Sequence, residues 1–159
     1  MNTARSVANQ FIRLANVDGR TLTPMSLMKL VYIAHGWSLA LLHRALISDE
    51  IEAWQFGPVV PDLYQSMKRN GSAPVTQPLP SHGFFSSAPE YPGADDLSII
   101  GRVYELYGAL TGIQLSALTH QPGTPWSQTF INNRNSVIGD DLITEHFQQL
   151  ARERQSVAA

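Results

Sequence analysis

Thr23-Pro24-Met25-Ser26-Leu27-Met28-Lys29-Leu30-Val31-Tyr32-Ile33-Ala34-His35-Gly36-Trp37-Ser38-Leu39-Ala40-Leu41-Leu42 carries the strongest fold signal in the chain. The Thr23 hydroxyl suits an N-cap, and Pro24 suits the first helical position, where its missing N–H costs nothing. Thirteen of the eighteen positions from Met25 to Leu42 are apolar, so the helix is covered on nearly every side. Lys29 interrupts the run and argues against a membrane span. The segment reads as the central core helix.

Amphipathic elements flank it. Residues 3–17 place Val7, Phe11, Leu14 and Ala15 on one helical face, and Asp18-Gly19 ends the run. Ile51 to Phe56 alternates loosely and carries Trp54 and Phe56, which favour an extended edge. Gly57-Pro58 punctuates, and Pro61 opens a helix with Val60, Leu63, Tyr64 and Met67 at helical spacing. Of the twenty-four residues 71–94, twelve are Gly, Pro or Ser. This stretch is expected to be an ordered excursion of one domain, in which His82-Gly83-Phe84-Phe85 either form a short strand near 82–86 pairing with the Trp54 segment or dock their two rings on the core. Asp95 caps a helix burying Leu97, Ile100, Val103, Tyr104 and Tyr107, and Leu115 and Leu118 mark a short one. Pro122 and Pro125 bound a turn before Trp126. Gly139-Asp140-Asp141 starts a last helix with Ile143, Phe147 and Leu150 inside. The expected fold is mainly α, α+β at most: one compact bundle of about six helices with one or two short strands near 51–56 and 82–86. It spans residues 1–155, with a frayed tail over 156–159.

Composition narrows the function. The chain of 159 residues is 43% hydrophobic and only 15% charged, with a formal net charge of −2. It lacks the basic excess of a phosphate-neutralising protein, so no nucleic-acid partner is expected. Cys is absent, which removes disulfides, thiolate metal sites and cysteine nucleophiles. No signal core or membrane segment is evident, and a soluble cytoplasmic protein is expected. No phosphate loop, nucleophile elbow or HExxH motif appears. His35 and His43, eight residues apart on one helix, point about 80° apart and read as a solvated or core-edge pair, not a metal site. Asp140-Asp141 reads as helix capping, and His120 as a hydrogen-bonded anchor ahead of general-base chemistry. No catalytic residue, metal or cofactor is assigned. Trp37, Tyr32 and Tyr104 are core candidates, while Trp54, Tyr64 and Trp126 lie beside prolines and turns, where aromatics also serve recognition.

Three stretches together resemble one family. Leu22 to Trp37 is similar to the "LTPLKLQKLLYYAQGW" signature of the Panacea domain, and Ile51 to Tyr64 to its "EAWxxGPVVPxLY" element. Leu115-Ser116-Ala117-Leu118-Thr119-His120 followed by Pro125-Trp126 resembles "LSxLTH…PW". Met28 and His35 stand where Gln is common. The family includes SocA-like antitoxins and phage-associated GepA proteins. The resemblance implies an antitoxin of a bacterial or phage toxin–antitoxin system that neutralises a cognate protein toxin by direct contact. Delivery of the toxin to an ATP-dependent protease such as ClpXP is one form of that role. The motif residues Thr23, Pro24, Leu30, Tyr32, Ala34, Gly36, Trp37, Gly57, Leu63 and Tyr64 are expected to be architectural. Leu30, Tyr32, Ala34, Leu63 and Tyr64 should be buried against one another. The irregular corners holding Trp54, Phe56, Pro58, His120, Pro125 and Trp126 are the expected partner surface. A phage regulatory protein, or an enzyme centred on His120, is the alternative. The final Val157-Ala158-Ala159 is similar to the Leu-Ala-Ala end of a degradation tag read by ClpXP, and equally to any solvated end.

Overall fold

The computed structural model describes residues 1–82 and 87–158. Among them are seven α-helices: α1 Ala4–Asp18, α2 Pro24–Trp37, α3 Pro61–Met67, α4 Leu97–Tyr107, α5 Gly112–Thr119, α6 Pro125–Asn132 and α7 Asp140–Ala158. A two-stranded antiparallel sheet joins β1 Glu52–Trp54 to β2 Gly57–Val59. The fold is mainly α with a few strand residues, as the patterning predicts.

Helix α2 is the axis. The Thr23 hydroxyl accepts the Ser26 N–H and Pro24 opens the helix. Every residue from Ser26 to Trp37 is buried, with α1, α3, α4, α5, α7 and β2 packed around it. The stretch Pro24–Leu42 is long and apolar enough to cross a bilayer, yet most of it is buried inside the fold. A single π-helical turn, Ser38–Leu42, prolongs it and ends at His43 in the left-handed conformation. Helix α1 is capped by Thr3 and stopped by Gly19. Its buried face includes Val7, Phe11 and Ala15, and also Asn9, whose amide bonds Leu79 and Glu90 of the Pro/Gly/Ser-rich excursion. Val75 and Leu79 of that excursion are buried too.

Several details differ from the sequence expectation. The strand expected near 82–86 falls, but for His82, outside the described residues. The partner of β1 is instead the adjacent Gly57–Val59, with Ala53 opposite Pro58. Proline is tolerated there because β2 pairs on one side only. On its other edge β1 meets residues 135–138, through Ala53 N–H to Ser136 O, Asn135 N–H to Ala53 O and Ile138 N–H to Ile51 O. Asp95 does not cap α4. It lies in a 3₁₀ turn, Ala94–Asp96, and the neighbouring Asp96 carboxylate binds Arg44 and the Asn2 amide instead. The Pro122–Pro125 turn is followed at once by an unforeseen helix, α6, capped by the Thr124 hydroxyl with Pro125 at its start. Helix α7 runs through Ala158, since no Gly or Pro stops the chain after Leu150.

His35 is no solvated or core-edge residue. It is fully buried, and its Nδ1 accepts the backbone N–H groups of Leu46 and Ile47 at 3.3 and 3.4 Å. The ring proton therefore sits on Nε2, which donates to Asp140 Oδ1 at 2.8 Å. Asp140 thus ties α7 to α2 as well as opening its own helix. His43 lies apart, on the surface.

Candidate functional site

The two corners singled out by their aromatics and prolines are far apart in sequence, and the fold makes them one surface. Trp126, in the first turn of α6, donates its indole N–H to the Trp54 carbonyl at 2.6 Å. The His120 ring stands edge-on to Trp126 at 5.1 Å, and Phe130 stacks on Trp126 at 4.7 Å. On the other side, Trp54 meets Tyr64 edge to face at 5.2 Å and donates its own indole N–H to Glu52. Ser116 of α5 donates to the Phe56 carbonyl at 3.1 Å. The hairpin is thereby held from three helices.

The six residues sort by exposure. Phe56, at the hairpin tip, is 67% exposed. Trp54, His120 and Trp126 are half-buried, whereas Pro58 and Pro125 are buried. His120 caps α5 and its Nδ1 donates to the Ser116 carbonyl, which matches the anchor reading. Among the expected architectural residues, Leu30, Tyr32, Ala34 and Leu63 are buried. Tyr64 is not: at 38% exposure it faces the groove beside Trp54. Adjacent positions on α3 point about 100° apart, and Leu63 takes the core side.

Below the hairpin tip lies a cavity of about 530 Å³ between α2, the β1–β2 hairpin and α3. Met25, Met28, Trp54, Phe56, Val59 and Met67 give it apolar walls. Lys29 lines it too and is only 3% exposed. Its ammonium donates to the Pro58 carbonyl at 3.0 Å, and burial lowers its pKa from 10.5 to about 7. Gly57 makes this approach possible. Its φ of +118° disfavours any side chain, and a Cβ there would stand 2.7 Å from Lys29 Nζ. Nearby, the Met28 sulfur accepts the Val60 N–H at 3.2 Å, just ahead of α3. Sequence reasoning used Lys29 only to argue against a membrane span. The signal that could have found it was the same one: a lone cation in an apolar helix has to meet a polar group or a cavity.

A second cavity of about 220 Å³ lies between α2, α4, α5 and α7, lined by Tyr32, His146, Phe147 and Arg154 among others. Among the described residues the Tyr32 hydroxyl has no hydrogen-bond partner, and burial pushes its pKa up. Burial also lowers the His146 pKa, against an opposing pull from Glu153. Among the described residues, no three His, Asp or Glu side chains converge as a metal site would require.

The model of the SocA-like antitoxin, Panacea domain family matches residues 27–127. That range takes in most of α2, the hairpin, α3 to α5 and Trp126. The antitoxin SocA of Caulobacter vibrioides (strain NA1000 / CB15N) is 32% identical over 127 residues, covering 77% of this chain and 68% of that antitoxin. No solved structure matches.

Proposed function

The chain belongs to the SocA-like antitoxin Panacea family, and from that premise we propose that it is a non-enzymatic antitoxin that neutralises a protein toxin by direct contact. The contact surface is the groove around Trp54, Phe56 and Tyr64, continued by His120 and Trp126. The observation that supports this most is the joining of the two aromatic corners through the Trp126–Trp54 hydrogen bond. Their backbone is already fixed by helices, so little ordering cost accompanies binding. An exposed aromatic beside a cavity is also the kind of feature that dominates binding energy.

A finer form of the proposal has the chain hand its toxin to an ATP-dependent protease such as ClpXP. Its support is the family resemblance. The test is co-expression, with and without this chain, of an adjacent reading frame whose product arrests growth on its own. Rescue of growth is the expected result, and continued arrest overturns the antitoxin reading. Following the toxin's level in the same cells separates the two forms. A stable, bound toxin means inhibition, and a toxin that vanishes only where the protease is present means delivery.

A further inference from the structure

We infer that the cavity walled by Lys29 is a receptor for an acidic side chain, Glu or Asp, which the partner protein presents next to apolar residues. The inference rests on the reading of the groove as a partner surface and adds the chemistry of what enters it. An ammonium carries three donors, yet among the described residues Lys29 has one acceptor, the Pro58 carbonyl at 3.0 Å. The group is almost wholly withdrawn from water, so its remaining donors are costly to leave unmade. Among the described residues no Asp or Glu lines the cavity, and the one further ionisable cation there, Lys68, is exposed. The carboxylate of Glu52 is engaged by the Trp54 indole.

The site is therefore apolar with an uncompensated cation, and charge complementarity calls for a carboxylate. Burial holds the Lys29 pKa near 7, and an arriving carboxylate favours the charged amine and makes a charge-assisted hydrogen bond. The walls set the second requirement. A small inorganic anion would leave Met25, Met28, Val59 and Met67 uncovered. Met25, Phe56 and Tyr64 are exposed as well as lining the cavity, so they are available to apolar neighbours of the acid. A polypeptide side chain flanked by apolar residues satisfies both demands.

The test titrates the full chain with acetyl-Leu-Glu-Leu-amide and acetyl-Leu-Gln-Leu-amide, following intrinsic fluorescence in a Trp37→Phe, Trp126→Phe background that leaves Trp54, which lines the cavity, as the reporter. The Glu peptide is expected to bind at least tenfold tighter than the Gln peptide. Lys29→Met, checked by circular dichroism to retain its helices, should abolish the difference. Equal binding of the two peptides where Lys29 is intact overturns the inference. So does tighter binding of unblocked Leu-Leu, which would assign the cavity to a chain end. A second arm uses toxin co-expression. If the unaltered chain gives no rescue, the antitoxin reading fails while peptide selectivity still stands. If the unaltered chain rescues and Lys29→Met rescues equally, the acidic-side-chain receptor is overturned.

Discussion

Replacing Lys29 by Met is expected to stabilise the folded chain, by an amount that depends on pH. The Lys29 amine has a folded pKa near 7 against 10.5 when solvated. Between those values the unfolded chain binds the extra proton, so stability rises with pH across that window. Below pH 7 both states carry the charge, and the folded state bears the full cost of burying it. The shift corresponds to about 4–5 kcal/mol at roughly 1.4 kcal/mol per pH unit. A methionine of similar length escapes that cost but forfeits the bond to Pro58. The variant should therefore lead by several kcal/mol at pH 6. Its lead should be flat below pH 7 and shrink steadily toward pH 10. Tyr64 and Lys68, the other ionisable side chains lining the cavity, are exposed. Urea unfolding at pH 6, 8 and 9.5 measures the difference, and a lead that does not vary with pH contradicts this account of the buried amine.

Phe147→Ala should be about as consequential in the opposite direction, costing ~3–5 kcal/mol. Phe147 is 3% exposed and sits edge-on to Tyr32 at 5.9 Å and to Trp37 at 5.2 Å, which docks α7 on α2. Its ring occupies the space over Gly36, where a Cβ would lie only 2.2 Å from the nearest ring carbon. Gly36→Ala alone should thus overpack the contact and cost ~1–3 kcal/mol, despite the better helix propensity of alanine. In the double variant the new methyl enters the vacated space, so the losses should fall well short of their sum. Thermal unfolding of the four proteins checks this. Simple additivity would mean that Gly36 and Phe147 do not share one packing site.

Much of this architecture was legible because short-range rules decided it. Thr23-Pro24 started α2, and an all-round apolar run marked the buried axis. The period of α4 picked Ile100, Val103, Tyr104 and Tyr107 as buried, while Leu97, placed on the same face by that period, is exposed at the start of the helix. What escaped was pairing. Alternation marked Ile51 to Phe56 as extended but carried no information about its partners, which proved to be β2 and residues 135–138. Helix α6 was hidden by its own prolines, although Thr124-Pro125 repeats the cap chemistry recognised at Thr23-Pro24. His35 was misjudged because its partners, Asp140 and the Leu46–Ile47 backbone, come from elsewhere in the chain. At the candidate site, aromatic and proline content picked out both corners. Their union through Trp126 and Trp54 depends on tertiary packing, as does the cavity that turns Lys29 from an oddity into the centre of the groove.

The most direct test of the central claim is the affinity of the purified chain for the product of an adjacent reading frame, once that product is shown to arrest growth, measured by titration calorimetry with Phe56→Ser beside the unaltered chain. Phe56 is mostly exposed, so the substitution should leave the melting temperature within a few degrees. If the hairpin tip is part of the toxin-binding surface, affinity should fall by a factor on the order of 30 or more, the loss of a hot-spot side chain. An unchanged dissociation constant, with an intact fold, would contradict the assignment of this groove to the toxin.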